Sequence, residues 1–142
     1  MNMTTNEEYS SMYKKFAVGV MAVAALALTT GCSTLVDAKA AKGTGQSREY
    51  SKPIDTVWKA IPPALSELKL PLVAENRQEG LILAQNGISA LSYGENVAIF
   101  VESINGGEKT RVEVVSKKAL ATNVFATNWA DVILEKLSAM LK

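Results

Sequence analysis

Among the side chains of this sequence that could do chemistry is a single thiol, that of Cys32. The 142-residue sequence contains no histidine, so it excludes a Cys–His pair, an imidazole acid–base group and a histidine metal site. With one cysteine, it also excludes an intramolecular disulfide. The chemistry of Cys32 must therefore be read from the residues around it.

Serine and lysine residues in the second half offer one catalytic pattern. Ser66 and Lys69 form Ser-x-x-Lys, Ser103 and Asn105 form Ser-x-Asn, and Lys109 begins Lys-Thr-Arg. This order resembles that of the penicillin-recognising enzymes, but their third motif ends in glycine and their folds are much larger. The other charged candidates, all typical of solvated surface charges, are Glu75, Glu79, Glu102, Glu113, Lys117 and Lys118. We therefore predict no catalytic residue, no metal and no cofactor.

Composition and charge narrow the class of protein. Hydrophobic residues make up 48% of the chain and charged residues 20%, which is typical of a globular protein. Fifteen basic and fourteen acidic residues leave a net charge of +1, so no broad field attracts nucleic acid or anionic lipid. The length suits one domain, since domains span ~100–200 residues.

Residues 1–31 have the pattern of a secretory signal peptide. Lys14 and Lys15 precede the unbroken apolar run Phe16–Leu28, and small residues follow it. The run is shorter than the ~20 residues that a membrane-spanning helix needs, which favours a cleaved signal over a short membrane helix. Because the acidic residues ahead of Met12 are atypical of a positive leader, we hypothesise that translation starts at Met12.

The residues at 29–32, Thr-Thr-Gly-Cys, resemble the bacterial lipobox, whose cysteine is acylated and becomes the first residue of the mature protein. Thr29 stands where the lipobox prefers leucine. The resemblance implies that Cys32 carries the lipid, and that Ser33, in place of an aspartate, directs the protein to the outer membrane. The alternative is a secreted protein with a free thiol, which is unusual in an oxidising compartment.

The segment after the lipobox, residues 32–45, is predicted to be a flexible tether. It is rich in small and polar residues, and Gly43 and Gly45 interrupt any helix that Ala38–Ala41 could begin. A single folded domain is then expected over residues 46–142.

Within that domain the patterns predict a strand, a helix, four strands and a helix. Apolar residues three and four apart predict the first helix from Ile54, and Pro62 and Pro63 predict a kink or a division into two short helices. Turn residues at 76–80 and 105–107 predict two hairpins.

The closing helix is predicted to start at the N-cap Asn128. Single apolar faces on two helices and on one sheet predict an α+β, two-layer sandwich. It has a mainly antiparallel sheet of about five strands with two helices on one face and solvent on the other. Trp58 and Trp129 are expected in its core.

A family resemblance supports this fold. The residues that carry it are Val57–Ala60 on the first helix, Glu75–Gly80 in the first hairpin and Gly106–Val112 in the second. They resemble small Gram-negative lipoproteins of unknown function, whose domain is similar to the helix-grip repeats of the BamC lipoprotein of the barrel-assembly machinery. The resemblance covers about residues 46–142 and implies a fold, not an activity.

The segment Gln85–Asn96 is long and apolar for a connection between two strands. Ile88, Leu91 and Tyr93 either tuck into the core or form an exposed patch that binds a partner. The sequence leaves both interpretations open.

These observations favour an outer-membrane-anchored periplasmic lipoprotein that acts as a non-catalytic interaction or accessory module of the cell envelope. Its expected partners are the membrane, through acylated Cys32, and an envelope protein. No nucleic acid is expected. The alternative function is a carrier of a small apolar ligand between helices and sheet.

Overall fold

A computed structural model describes residues 34–87, 94–118 and 127–142. In chain order, its elements are α1 (Leu35–Ala40), β1 (Gln46–Tyr50), α2 (Ile54–Glu67), β2 (Leu72–Asn76), β3 (Leu81–Asn86), β4 (Glu95–Ile104), β5 (Lys109–Lys118) and α3 (Trp129–Met140). A 3₁₀ turn, Asn105–Gly107, joins β4 to β5. In the ranges described, no helix combines the length and apolar character needed to cross a bilayer.

The five strands form one antiparallel sheet in the order β1-β5-β4-β3-β2, which confirms the predicted α+β class. β4 lies at the centre, between β5 and β3, and β4 and β5 are the longest strands, with ten residues each. β1 and β2 form the two edges. The β2–β3 hairpin depends on Gly80, whose φ of +62° and close approach to the Val101 carbonyl leave no room for a Cβ atom.

The inner face of the sheet packs against α2 and α3. Valine and isoleucine side chains that alternate along β4 and β5 meet the apolar stripes of both helices in one core. The fully buried side chains of this core include Val57, Ile61, Ala64, Val97, Ile99, Val112, Val114, Ile133 and Leu137.

Polar contacts bind β1 to α3 beside this core. The Tyr50 hydroxyl donates to the Leu134 carbonyl at 3.1 Å, and Arg48 donates to the same carbonyl and to the Ser138 hydroxyl. Burial raises the pKa of Tyr50 above its usual value, because the phenolate is poorly solvated there. These bonds fix α3 across the first edge strand.

α2 is one helix across Pro62 and Pro63, so the expectation of two short helices is wrong. The two prolines lack the N–H groups that would bond the carbonyls of Trp58 and Lys59 one turn earlier. Those two residues lie on the partly or fully exposed side of the helix, where water can bond the freed carbonyls. The buried stripe keeps its phase on both sides of the prolines, so packing holds the helix together.

The two tryptophans differ in their surroundings. Trp129 is 8% exposed and belongs to the core, as predicted. Trp58 is only partly buried and packs against the rim of the core, so its predicted core position is wrong. Its ring lies beneath the Arg77 guanidinium, 4.7 Å from the ring centre, and Arg77 also pairs with Asp55. Trp58 follows Val57 by one residue, which turns it toward the edge of the helix stripe.

Residues 34–45, predicted to be part of a flexible tether, contain the short helix α1. Thr34 and Asp37 form a capping box: Thr34 Oγ1 accepts the Asp37 N–H, and the Asp37 carboxylate accepts the Thr34 N–H at 2.6 Å. The hydrogen bonds from Thr34 hold the pKa of Asp37 below its usual value.

α1 covers part of the outer face of the sheet, which the sequence predicted to be open to solvent. Ala38 is fully buried in a second, smaller core with Leu81, Ala98, Phe100 and Val115. A helix of six residues that buries one alanine is too short to give a periodic apolar signal. The sequence prediction therefore missed it.

Candidate interaction surface

Cys32, the predicted lipidation site, lies outside the described residues, as do Ile88, Leu91 and Tyr93. The strands on either side of the segment that holds the last three are longer than predicted. Asn86 still belongs to β3 and Glu95 to β4, so the connection between them is 87–94.

The base of that connection is a polar ladder. Gln85 donates from Nε2 to Asn96 Oδ1 at 2.8 Å, and Asn86 donates from Nδ2 to Glu95 Oε2 at 2.7 Å. Residues adjacent along a strand point to opposite faces, so one pair lies on each face of the sheet. Glu95 and Asn96 are buried. Paired polar groups at this end of the sheet bring β3 and β4 together where the connection starts.

The serine and lysine residues of the catalytic pattern lie on different elements. Ser66 and Lys69 are at the end of α2, whereas Ser103, Asn105 and Lys109 are at the β4–β5 hairpin. Among the described residues, no three His, Cys, Asp or Glu side chains lie together as a metal site would require.

The end of α2 has an unusual backbone. Lys69 adopts a φ of +55°, the left-handed conformation that glycine usually supplies after a helix. The Lys69 N–H donates to the Ser66 carbonyl and the Leu70 N–H donates to the Leu65 carbonyl, both at 3.0 Å. This is a Schellman motif, and its apolar contact joins Leu65 and Leu70, which are both buried.

The chain that leaves this motif borders an open groove between the end of α2 and the start of β2. The groove has a volume of about 320 Å³. Its lining is Pro62, Leu65, Ser66, Lys69, Leu70, Pro71 and Leu72. The walls are thus mainly aliphatic and proline surface, with one cation, Lys69, that extends from an exposed position.

β2 continues the apolar surface beyond the groove. All five residues of this edge strand are exposed, and Leu72 and Val73 are 40% and 50% exposed, respectively. Among the described strands, β2 pairs with β3 only, so its other backbone edge faces away from the sheet. We call β2 together with the groove the β2 surface.

The β2 surface offers main-chain hydrogen-bonding groups along a strand edge, exposed aliphatic side chains and one lysine. Extended peptides bind proteins by adding a strand to such an edge, with pockets nearby for their side chains. The strand pattern at Leu72 and Val73 does not by itself identify these residues as exposed. The signal was present in the chain: Leu70–Val73 is an apolar run interrupted by Pro71, and proline in strands is confined to edges and first positions.

The left-handed backbone of Lys69 can be tested by substitution. A non-glycine residue in the left-handed conformation costs ~1–2 kcal/mol, whereas glycine adds ~0.5–1 kcal/mol of backbone entropy. We expect Lys69→Gly to raise the free energy of unfolding by ~0.5–1 kcal/mol in urea titrations, and Lys69→Ala to give no such gain. Destabilisation by Lys69→Gly would show that the Lys69 side chain supports the fold instead.

No protein-family model matches this chain, and no curated protein matches it either.

Proposed function

We propose that this protein is an outer-membrane lipoprotein that is anchored through acylated Cys32. Its domain binds an extended segment of an envelope protein along the β2 surface and carries out no chemistry of its own. The observation that carries the binding role is the exposed apolar edge strand beside a groove.

The anchor is supported by the sequence. The basic pair Lys14–Lys15, the apolar run Phe16–Leu28 and the lipobox-like residues at 29–32 occur in the order that lipoprotein processing needs. Ser33 after the cysteine favours the outer membrane over the inner one. Acyl chains on Cys32 would exceed the two signals needed for stable attachment.

The binding role is supported by the way β2 is exposed. Isolated exposed aliphatic residues are common on protein surfaces, but here Leu72 and Val73 adjoin a groove and lie on an edge strand of the described sheet. An added strand would bond to the outer backbone edge of β2, and its side chains would contact Val73 and the groove. The register of β2 against β3 shifts between Leu72 and Ala74, so the alternation of faces is interrupted at Val73. Lys69 at the groove suits an acidic group on the segment that binds.

The groove also favours a second candidate function, a carrier of a small apolar ligand. Its volume of about 320 Å³ is at the lower end of the range of ligand pockets. The space between the helices and the sheet is filled by fully buried side chains such as Ile61 and Ile99. A ligand would therefore bind at the edge of the domain rather than between its layers.

Site-specific photocrosslinking in the source bacterium tests the binding role. A photoreactive residue at Val73 should form an adduct with an envelope protein, and the crosslinked peptide of that protein should be an extended apolar segment. A second change in the same protein, Leu72→Asp, should abolish the adduct, because it places a charge at the groove. Both positions are exposed, so stability should change by no more than ~0.5 kcal/mol.

Ser47 is the matched control, because it is exposed on β1, the opposite edge strand. A probe at Ser47 should give no adduct with the same protein. Equal adducts from Ser47 and Val73, or an adduct that survives Leu72→Asp, would contradict a specific β2 surface. Native mass spectrometry that finds a small bound mass, lost in the Leu72→Asp variant, would favour the carrier instead.

A further inference from the structure

We propose that the domain lies directly on the bilayer surface in a fixed orientation, with α1 toward the lipid headgroups. This inference rests on the proposed acylation of Cys32. The α1 side of the domain thus contacts the membrane that holds the anchor, not a second protein.

The chain is bound to the domain from Thr34 onward. The capping box fixes Thr34 to the first turn of α1, and buried Ala38 fixes α1 to the sheet. Farther along, one carboxylate oxygen of Glu113 accepts the N–H groups of Gly43 and Gly45 at 2.7 and 2.8 Å. A Cβ atom on Gly45 would lie 2.4 Å from the Val114 carbonyl oxygen, so the chain runs tightly against β5.

Charged contacts add to this attachment at the far end of α1. Lys39 pairs with Glu79 at 2.7 Å, and Lys42 pairs with Glu102. The Lys42 ammonium also lies 5.5 Å from the centre of the Phe100 ring. α1 is therefore tied to β4 and to the β2–β3 hairpin.

The chain that remains free between the acylation site and the domain is short. Only Ser33 separates Cys32 from Thr34. A fully extended chain spans ~3.3–3.6 Å per residue, so the Cα atoms of Cys32 and Thr34 are at most ~7 Å apart. If residues 32–45 were all flexible, the same calculation would allow ~45 Å. The short connection brings α1 to the depth of the headgroups once Cys32 is acylated.

α1 presents an exposed apolar residue next to the anchor. Val36 is the most exposed large hydrophobic residue that the structure describes, at 74%. It lies four positions after Cys32, on the helix next to the acylation site. An exposed valine in that position can enter the headgroup region as the acyl chains enter the hydrocarbon. The near-neutral charge of the chain fits attachment through apolar groups rather than a basic patch.

This geometry restricts the partner of the β2 surface. A domain with a free connection of ~7 Å cannot reach structures far from the membrane. The segment that binds β2 must therefore belong to a protein in the same membrane or to one that extends to its surface.

Fluorescence quenching in lipid nanodiscs measures this orientation. Acylation occupies the thiol of Cys32, the only cysteine, so Val36→Cys and Glu135→Cys each provide one labelling site on the purified lipoprotein. Glu135 is exposed on α3, on the opposite side of the sheet. Layers of helix and sheet pack ~10 Å apart, so the two labels should differ in height by ~20 Å. Nitroxide groups on the lipid headgroups quench fluorescence over a short range. At this ~20 Å difference in height, they should quench the Val36→Cys label about threefold more than the Glu135→Cys label.

Two altered proteins test the cause of the difference. A Gly/Ser linker of ~20 residues between Ser33 and Thr34 has a root-mean-square span of ~25 Å and should make the two labels equally quenched. Ala38→Glu should have the same effect by releasing α1 from the sheet, and circular dichroism should show that the rest of the domain stays folded. If Ala38→Glu unfolds the domain, the linker variant alone decides the matter.

Intact mass, measured first, separates the two proposals. An acylated protein whose two labels are equally quenched before any linker is inserted would overturn the fixed orientation and leave the anchor standing. A difference in quenching that persists after insertion would also overturn it. A protein without the lipid mass would overturn the proposed anchor itself.

Discussion

Trp129→Ala is expected to lower the free energy of unfolding by ~3–5 kcal/mol, because it removes a large aromatic side chain from the core and leaves a cavity. Trp129 begins α3 and is 8% exposed among the side chains that join α3 to the sheet. A loss of that size is comparable to the whole stability of a small domain. Urea titration monitored by circular dichroism measures it.

Two further variants, Trp58→Ala and Trp129→Phe, are compared with Trp129→Ala by their free energies of unfolding. Trp58→Ala should cost less, ~1–2 kcal/mol, because Trp58 is half-covered and packs beneath Arg77 at the rim. Trp129→Phe should cost less than Trp129→Ala, since most of the ring remains. The indole N–H that it removes is buried and has no acceptor among the described residues. Equal losses for Trp58→Ala and Trp129→Ala would contradict the core described here.

Cys32→Ala is expected to abolish acylation and leave the precursor unprocessed or the protein released from the outer membrane. The physical reason is that only the thiol of Cys32 can form the thioether to the lipid, and no other cysteine is present to replace it. Fractionation of inner and outer membranes, followed by detection of the chain, measures both processing and location.

Ser33→Asp is the matched control for the neighbouring position. It should leave acylation intact and shift the lipoprotein toward the inner membrane, since the residue after the cysteine directs sorting in the lipoproteins that this sequence resembles. A fully processed Cys32→Ala protein in the outer membrane would show that another feature attaches the chain.

The α+β class and the sequence of helices and strands along the chain could be predicted because most of their signals are local and repeated. Spacing of three and four marks α2, glycine at residues 80, 106 and 107 marks the hairpins, and Asn128 is the N-cap of α3. Its side chain accepts the Ala130 N–H, as an N-cap residue does.

The features that could not be predicted depend on contacts between distant parts of the chain. α1 is stable because Ala38 meets β3, β4 and β5, and no property of six residues in isolation reveals that. The double proline disrupts an isolated helix, but burial on one face and solvent on the other allow α2 to continue. Trp58 also has a contact that its local sequence does not reveal, because the guanidinium of Arg77, nineteen positions later, lies over its ring.

The candidate site was harder to predict for a similar reason. Strand pattern identifies β2, but its place at the edge follows from the pairing order of the whole sheet. Lys69 carries no local mark of its left-handed backbone, which the Schellman motif imposes at the end of α2. Pro71 is a local signal for an edge strand, but the exposure of Leu72 and Val73 also depends on the topology of the sheet.

The most direct test of the proposed anchor is the mass of the mature protein extracted from outer membranes. We predict a chain that begins at Cys32, with the lipid on the N-terminal peptide. A mature chain that begins elsewhere, or an N-terminal peptide that begins at Cys32 without added lipid, would contradict it.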